Sequence, residues 1–164
     1  MQSPSRILYL GGFSNNASQC MKLAGIRRWC AALGWDAVMV ERPDSTPENL
    51  PELLRRHHPA GCICEGSGHW VDLPPRLFGK TPVAYIEYPP KVAGHAPNIL
   101  VDDDAIARTA VRELSAGRPA CYAVIGFPRP WLWSRLRVRA FRRAVAAIGG
   151  KCLVFPLLPV STWE

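Results

Sequence analysis

One pattern recurs along the chain and dictates most of what it can fold into: an apolar run of strand length, a polar or glycine-rich turn, an amphipathic stretch, then a glycine. Strands separated by helices come back parallel, because a parallel neighbour needs a long crossover connection. The first repeat runs from Ile7-Leu-Tyr-Leu10 through Gly11-Gly12-Phe13-Ser14-Asn15-Asn16 into a helix over Ala17 to Leu33. Its inner row reads Leu23, Ile26, Cys30 and Leu33, and Gly34 ends it. Strand Ala37 to Val40 closes at Pro43, a short helix spans Glu48 to Arg56, and Gly61-Cys-Ile-Cys64 completes a right-handed crossover. The proline-bearing Leu73 to Leu77 leads to strand Val83 to Ile86, and a Pro- and Gly-rich turn leads to Ile99-Leu-Val101. Helix Asp104 to Ala116 presents Ile106, Ala107, Ala110, Val111 and Leu114 on one side. Strand Cys121 to Ile125, helix Leu132 to Ile148 and strand Cys152 to Phe155 follow, and Pro156 to Glu164 shows no finished element. The expected class is α/β, with Rossmann-like parallel sheets.

An apolar share of 48% over 164 residues is enough for a buried core in one compact domain or two small lobes. No apolar run approaches the roughly 20 residues of a membrane-spanning helix, and Met1 to Arg6 lacks a secretory pattern. The expectation is a cytoplasmic protein with no membrane partner, unless a leader was trimmed away. Six cysteines are scattered, four of them inside apolar strand-like runs, which reads as reduced core thiols. Cys62-x-Cys64 puts both sulfurs on one side of a strand, but two further metal ligands cannot be placed, so no metal or other cofactor is expected. The net charge of +7 is concentrated between Arg129 and Arg143, where a solvated helix face accounts for it as well as a nucleic-acid partner does.

In open parallel sheets, ligands bind beyond the carboxyl ends of the strands. There the chain offers Phe13, Ser14, Asn15 and Asn16; then Glu65, Ser67 and His69; then Glu87 and Tyr88; then Asp102 and Asp103; then Phe127, Trp131 and Trp133. Carboxylates, amides and hydroxyls interleaved with rings suit a polyhydroxylated ligand, whose C–H faces stack on rings while its hydroxyls need donors and acceptors. The same residues have a plainer reading. Asn16 and the triplet Asp102 to Asp104 are also what helix N-termini want, and His69 and Trp70 are also ordinary loop residues. Glu87 follows an apolar strand and precedes no helix that needs a cap.

At about 100° per residue, Arg137 falls one turn from both Trp133 and Phe141, on the side marked as buried by Phe141, Ala144, Val145 and Ile148. Arg135, Arg139 and Arg143 fall on the opposite, solvated face. An inward guanidinium must be paired, either with ligand hydroxyls or with a carboxylate such as Glu87 or Asp102 in an internal salt bridge. Enzyme motifs are missing: there is no G-x-G-x-x-G after the first strand, no phosphate-binding loop ending in Gly-Lys-Ser/Thr and no G-x-S-x-G elbow. A receiver-type domain would want acidic residues after the first strand, where Gly11-Gly12 stands.

The order of these pieces resembles the sensor domain of LacI/GalR-type repressors, the type I periplasmic-binding-protein-like fold, and more closely its version in XylR-like regulators of the AraC family. The resemblance is carried by Ile7 to Gly34, Pro59-Ala-Gly-Cys-Ile-Cys64, Pro82-Val-Ala-Tyr-Ile-Glu87, Ile99 to Ala110, Ala120 to Gly126 and Arg137-Val-Arg-Ala-Phe141. It implies that Arg137 binds effector hydroxyls, that Glu87 is an acidic ligand contact, and that Ser14 to Ser18 and Asp102 line a cleft rim. Trp131-Leu-Trp133 ahead of Arg137 is similar to the XylR-like subgroup.

The resemblance further implies two lobes, 1–102 and 103–164, the second only begun, with a sugar such as a pentose bridging them and favouring a closed form. It implies a homodimer that binds DNA through a C-terminal helix-turn-helix module outside a truncated chain, since no room for one precedes the first strand. Two other classes remain open on the residues alone: a free-standing sugar receptor, and a flavodoxin-like or receiver-like α/β domain.

Overall fold

A computed structural model describes residues 5–12, 16–66, 72–127 and 132–156. Contacts divide the chain into two units, Met1–Leu100 and Val101–Glu164. In the first unit strands β1 (Arg6–Gly12), β2 (Asp36–Glu41), β3 (Gly61–Glu65), β4 (Val83–Ile86) and β5 (Asn98–Ile99) form one sheet in the order β2-β1-β3-β4-β5. Every pairing is parallel, as the alternation demands. Helix α1 (Ala17–Ala32) links β1 to β2, whereas α2 (Leu50–His57), a 3-10 turn at Pro75–Phe78 and the short α3 (Pro90–Ala93) make connections running the other way along the sheet. Right-handed crossovers therefore put α1 on one face and the other three on the opposite face.

The side-chain alternation of the strands matches this division. Leu8, Leu10, Val40, Cys62, Cys64 and Tyr85 join Leu50, Leu73, Phe78 and Ala93 in one buried cluster on the α2 face. The intervening residues, among them Tyr9, Ala37 and Glu65, are buried as well and belong to the α1 face. Of the row expected inside α1, Leu23 and Cys30 are buried and Ile26 is half-buried, but Leu33 is exposed because it falls at the helix C-cap. Strand β5 is shorter than the sequence suggested and ends at Ile99, leaving Leu100 and Val101 exposed.

The second unit pairs strands β6 (Tyr122–Gly126) and β7 (Cys152–Pro156) in parallel, with helices α4 (Asp103–Ser115) and α5 (Leu132–Ala147) packed on each other. Ala107, Val111, Tyr122, Ala140, Phe141 and Val145 form its core. Ile106, Leu114 and Ile148, expected inside, are exposed. The apolar stripes of the two helices are wider than the surface this small unit offers them, so the stripe edges stay in water.

All six cysteines are free thiols; Cys30, Cys62 and Cys64 are buried and Cys121 is exposed. Burial pushes the Cys62 thiol up to about 12 and Cys64 well above its ordinary value, so the nucleophilic thiolate is suppressed at both. A disulfide-exchange reagent at pH 8 should label Cys121 rapidly and reach Cys62 and Cys64 only in denaturant. Mass mapping of the labelled peptides checks this; labelling of Cys62 in the folded protein would contradict the core assignment.

Candidate functional site

Arg137 is half-buried on α5, where Nε donates to Oδ1 of Asp103 at 3.1 Å. The arginine side chain is 40% exposed and the aspartate 13%. Asp103, in the first turn of α4, is the partner in place of Glu87 or Asp102, because α4 packs along α5 and brings its N-terminal turn to this arginine. The guanidinium carbon also lies 5.5 Å from the centroid of the Trp133 ring, one turn earlier on α5, within cation–π range. Trp133 in turn leans on Phe127, ring centroids 5.4 Å apart, and the Phe127 N–H donates to the buried Ser134 hydroxyl at 2.9 Å. The end of β6 and the start of α5 thus hold the Trp133 ring beside one guanidinium.

Neither Nη group of Arg137 has a hydrogen-bond partner among the described residues. The cation is oriented by Asp103 and Trp133, yet its two paired donors stay available. This geometry suits adjacent hydroxyls or a carbonyl and hydroxyl, with an aromatic face alongside for C–H groups. Arg135, Arg139 and Arg143 are exposed as expected, and Arg143 pairs with Asp104 at 2.6 Å. Asp102 is exposed and caps α4, its Oδ1 accepting from the Ala105 N–H at 2.8 Å, so one carboxylate oxygen is already engaged.

In the first unit, Glu65 ends β3 with its side chain fully buried. It accepts from the Tyr9 hydroxyl at 2.6 Å and from Lys22 Nζ at 3.2 and 3.0 Å. Burial and this carboxylate both push the Tyr9 phenol up, so it stays protonated and donating. Glu65 was expected at a ligand; the structure turns it inward, onto α1. Lys22 and Tyr9 were missed, although Lys22 shares the helix face of Gln19, Leu23, Ile26 and Cys30, where a cation calls for a buried anion.

Glu87 has φ 52, the left-handed region that non-glycine residues rarely adopt. Its N–H donates to the Ile99 carbonyl at 2.8 Å, while its half-buried carboxylate forms no hydrogen bond or ion pair among the described residues. Asn16 caps α1, its Oδ1 accepting from the Gln19 N–H at 3.1 Å. Phe13, Ser14, Asn15, Ser67, His69, Trp70 and Trp131 lie outside the described residues. Among the described residues no group of acidic, histidine and cysteine side chains is arranged to hold a metal, and no helix is long and apolar enough to cross a membrane.

No protein-family model and no curated protein matches the chain. Solved structures do. The chain is similar to a lac repressor dimer bound to operator and the anti-inducer ONPF, at 16% identity and a TM-score of 0.75 over 94% of this chain. It is similar to the trehalose repressor from Escherichia coli, at 15% identity and 0.75 over 95%. It is also similar to the Cra transcriptional dual regulator from Pseudomonas putida in complex with fructose 1-phosphate, at 20% identity and 0.69 over 92%. It covers 55%, 61% and 57% of those chains in turn. The fold is therefore the α/β, parallel-sheet fold of type I periplasmic-binding-protein-like domains, as seen in LacI-type regulators.

Proposed function

We propose that this chain is the effector-sensing part of a transcription regulator, that its effector is a sugar, and that it performs no catalysis. The carrying observation is the Arg137 guanidinium, held by Asp103 and Trp133 with neither Nη group hydrogen-bonded among the described residues. A sugar uses all of it: paired hydroxyls meet the fork of donors and a C–H face meets the indole. Glu87 is a further candidate in the first unit, because its left-handed backbone sets a carboxylate with no partner among the described residues at the end of β4. The fold supports the reading, since similar structures include regulators whose own ligands are sugars or sugar phosphates, such as one from Alkaliphilus metalliredigens complexed with D-xylulofuranose.

A pentose as effector and a XylR-like, AraC-family context are the finer form of the proposal, and their support is Trp131-Leu-Trp133 ahead of Arg137. Sites named beyond Arg137 belong to the same proposal: Trp133, Asn16 and the loop residues Phe13, Ser14 and Asn15. Control of DNA through a helix-turn-helix module outside these residues, a homodimer and a cytoplasmic location complete it. The test is calorimetry with a panel of pentoses and hexoses. Arg137→Ala should weaken the preferred sugar about a hundredfold, and Asp103→Asn about tenfold by loosening the guanidinium. A sugar bound equally well by wild type and Arg137→Ala would sink the proposal.

A further inference from the structure

The first unit carries a concavity of about 610 Å³ whose lining includes none of the residues proposed for the sugar. Its volume falls within the range of small-molecule sites. It is built on the α2 face from three connections that follow β2, β3 and β4, and Pro47, Pro74 and Pro75 supply rigid walls. Arg76 and Lys91 both line it, each carried on a short proline-started turn whose neighbours are anchored in the core. Leu73 and Phe78 are buried on either side of the Arg76 strap, and the Tyr85 hydroxyl donates to the Leu73 carbonyl at 2.7 Å. On the other side Ala93 is buried beneath Lys91. The rim is therefore set in advance, which lowers the ordering cost of binding.

Neither cation has a hydrogen bond or ion pair among the described residues, and nor does Asp72, the third charged group lining the concavity. Two cations and one carboxylate, all exposed and lining one concavity, suit a ligand with an anionic end and a hydroxylated body. The anion satisfies Arg76 and Lys91, a hydroxyl donates to Asp72, and C–H groups lie against proline rings. We infer that this concavity is a second ligand site, for a hydroxylated organic anion such as a sugar phosphate or sugar acid. It is separate from the sugar proposal, which rests on Arg137.

The test is calorimetric titration of the 164-residue protein with ribose 5-phosphate and with inorganic phosphate. Ribose 5-phosphate should bind saturably, more tightly than inorganic phosphate, and more weakly when salt rises from about 50 to about 300 mM. Arg76→Ala/Lys91→Ala should weaken it at least about tenfold, and Arg76→Gln/Lys91→Gln should do the same with an unchanged melting temperature. Arg137→Ala should leave it untouched. The inference is overturned by an absence of saturable binding, by equal affinity for inorganic phosphate, by binding that survives the double variant, or by binding that disappears with Arg137→Ala. Loss through Arg137 alone would place the anion at the sugar site and leave that proposal standing.

Discussion

Gly66→Ala should destabilise the first unit by about 3 kcal/mol, the upper end of what overpacking costs. A methyl group there would sit 2.7 Å from the Glu87 carbonyl oxygen and 2.9 Å from Tyr88 Cα, both backbone atoms. Neither can retreat. The Glu87 N–H is bonded to the Ile99 carbonyl, and the Asn98 side chain holds the Tyr88 carbonyl at 3.0 Å. Gly25→Ala is the matched control, because its methyl group would meet nothing within 4 Å on the exposed side of α1. That change should raise stability by about 0.5 to 1 kcal/mol, the helix preference of Ala over Gly. Urea unfolding followed by circular dichroism reads both; equal midpoints for the two variants would refute the close approach of β3 to the end of β4.

Lys22→Met should cost about 2 to 3 kcal/mol, less than the figure for a wholly buried pair because the lysine is 27% exposed. The change takes the Lys22 cation away from the fully buried Glu65 carboxylate, which keeps the Tyr9 hydroxyl. The triple change Tyr9→Phe, Lys22→Met, Glu65→Leu should recover most of that loss, since it removes the carboxylate, the cation and the phenol hydroxyl together. The comparison separates a stabilising pair from one that merely must not be broken. A triple variant as unstable as Lys22→Met alone would show that shape, not charge, holds α1 in place. Both measurements are urea midpoints at neutral pH.

Much of the fold was legible because its signals are local. Strand-length apolar runs, helical periodicity and closing glycines each act within a few residues, and together they demanded parallel pairing, which every strand shows. The site was legible in part. Periodicity set the half-buried Arg137 apart from the exposed Arg135, Arg139 and Arg143, and Asp102 took the capping role its position before a helix suggested. The same reasoning did not supply Lys22 and Tyr9 as partners of Glu65, because strand-end position says where a side chain starts and not which neighbour reaches it.

What the amino acids determined unaided is the succession of elements and the face each presents, since both follow from steric preferences and hydrophobic spacing along a short stretch of backbone. What only the tertiary structure decided is partnership: Asp103 for Arg137, Lys22 for Glu65, Arg76 and Lys91 around one concavity. These residues are far apart in the chain, and their meeting depends on how one helix lies against another or against a sheet, a distance that no periodicity encodes.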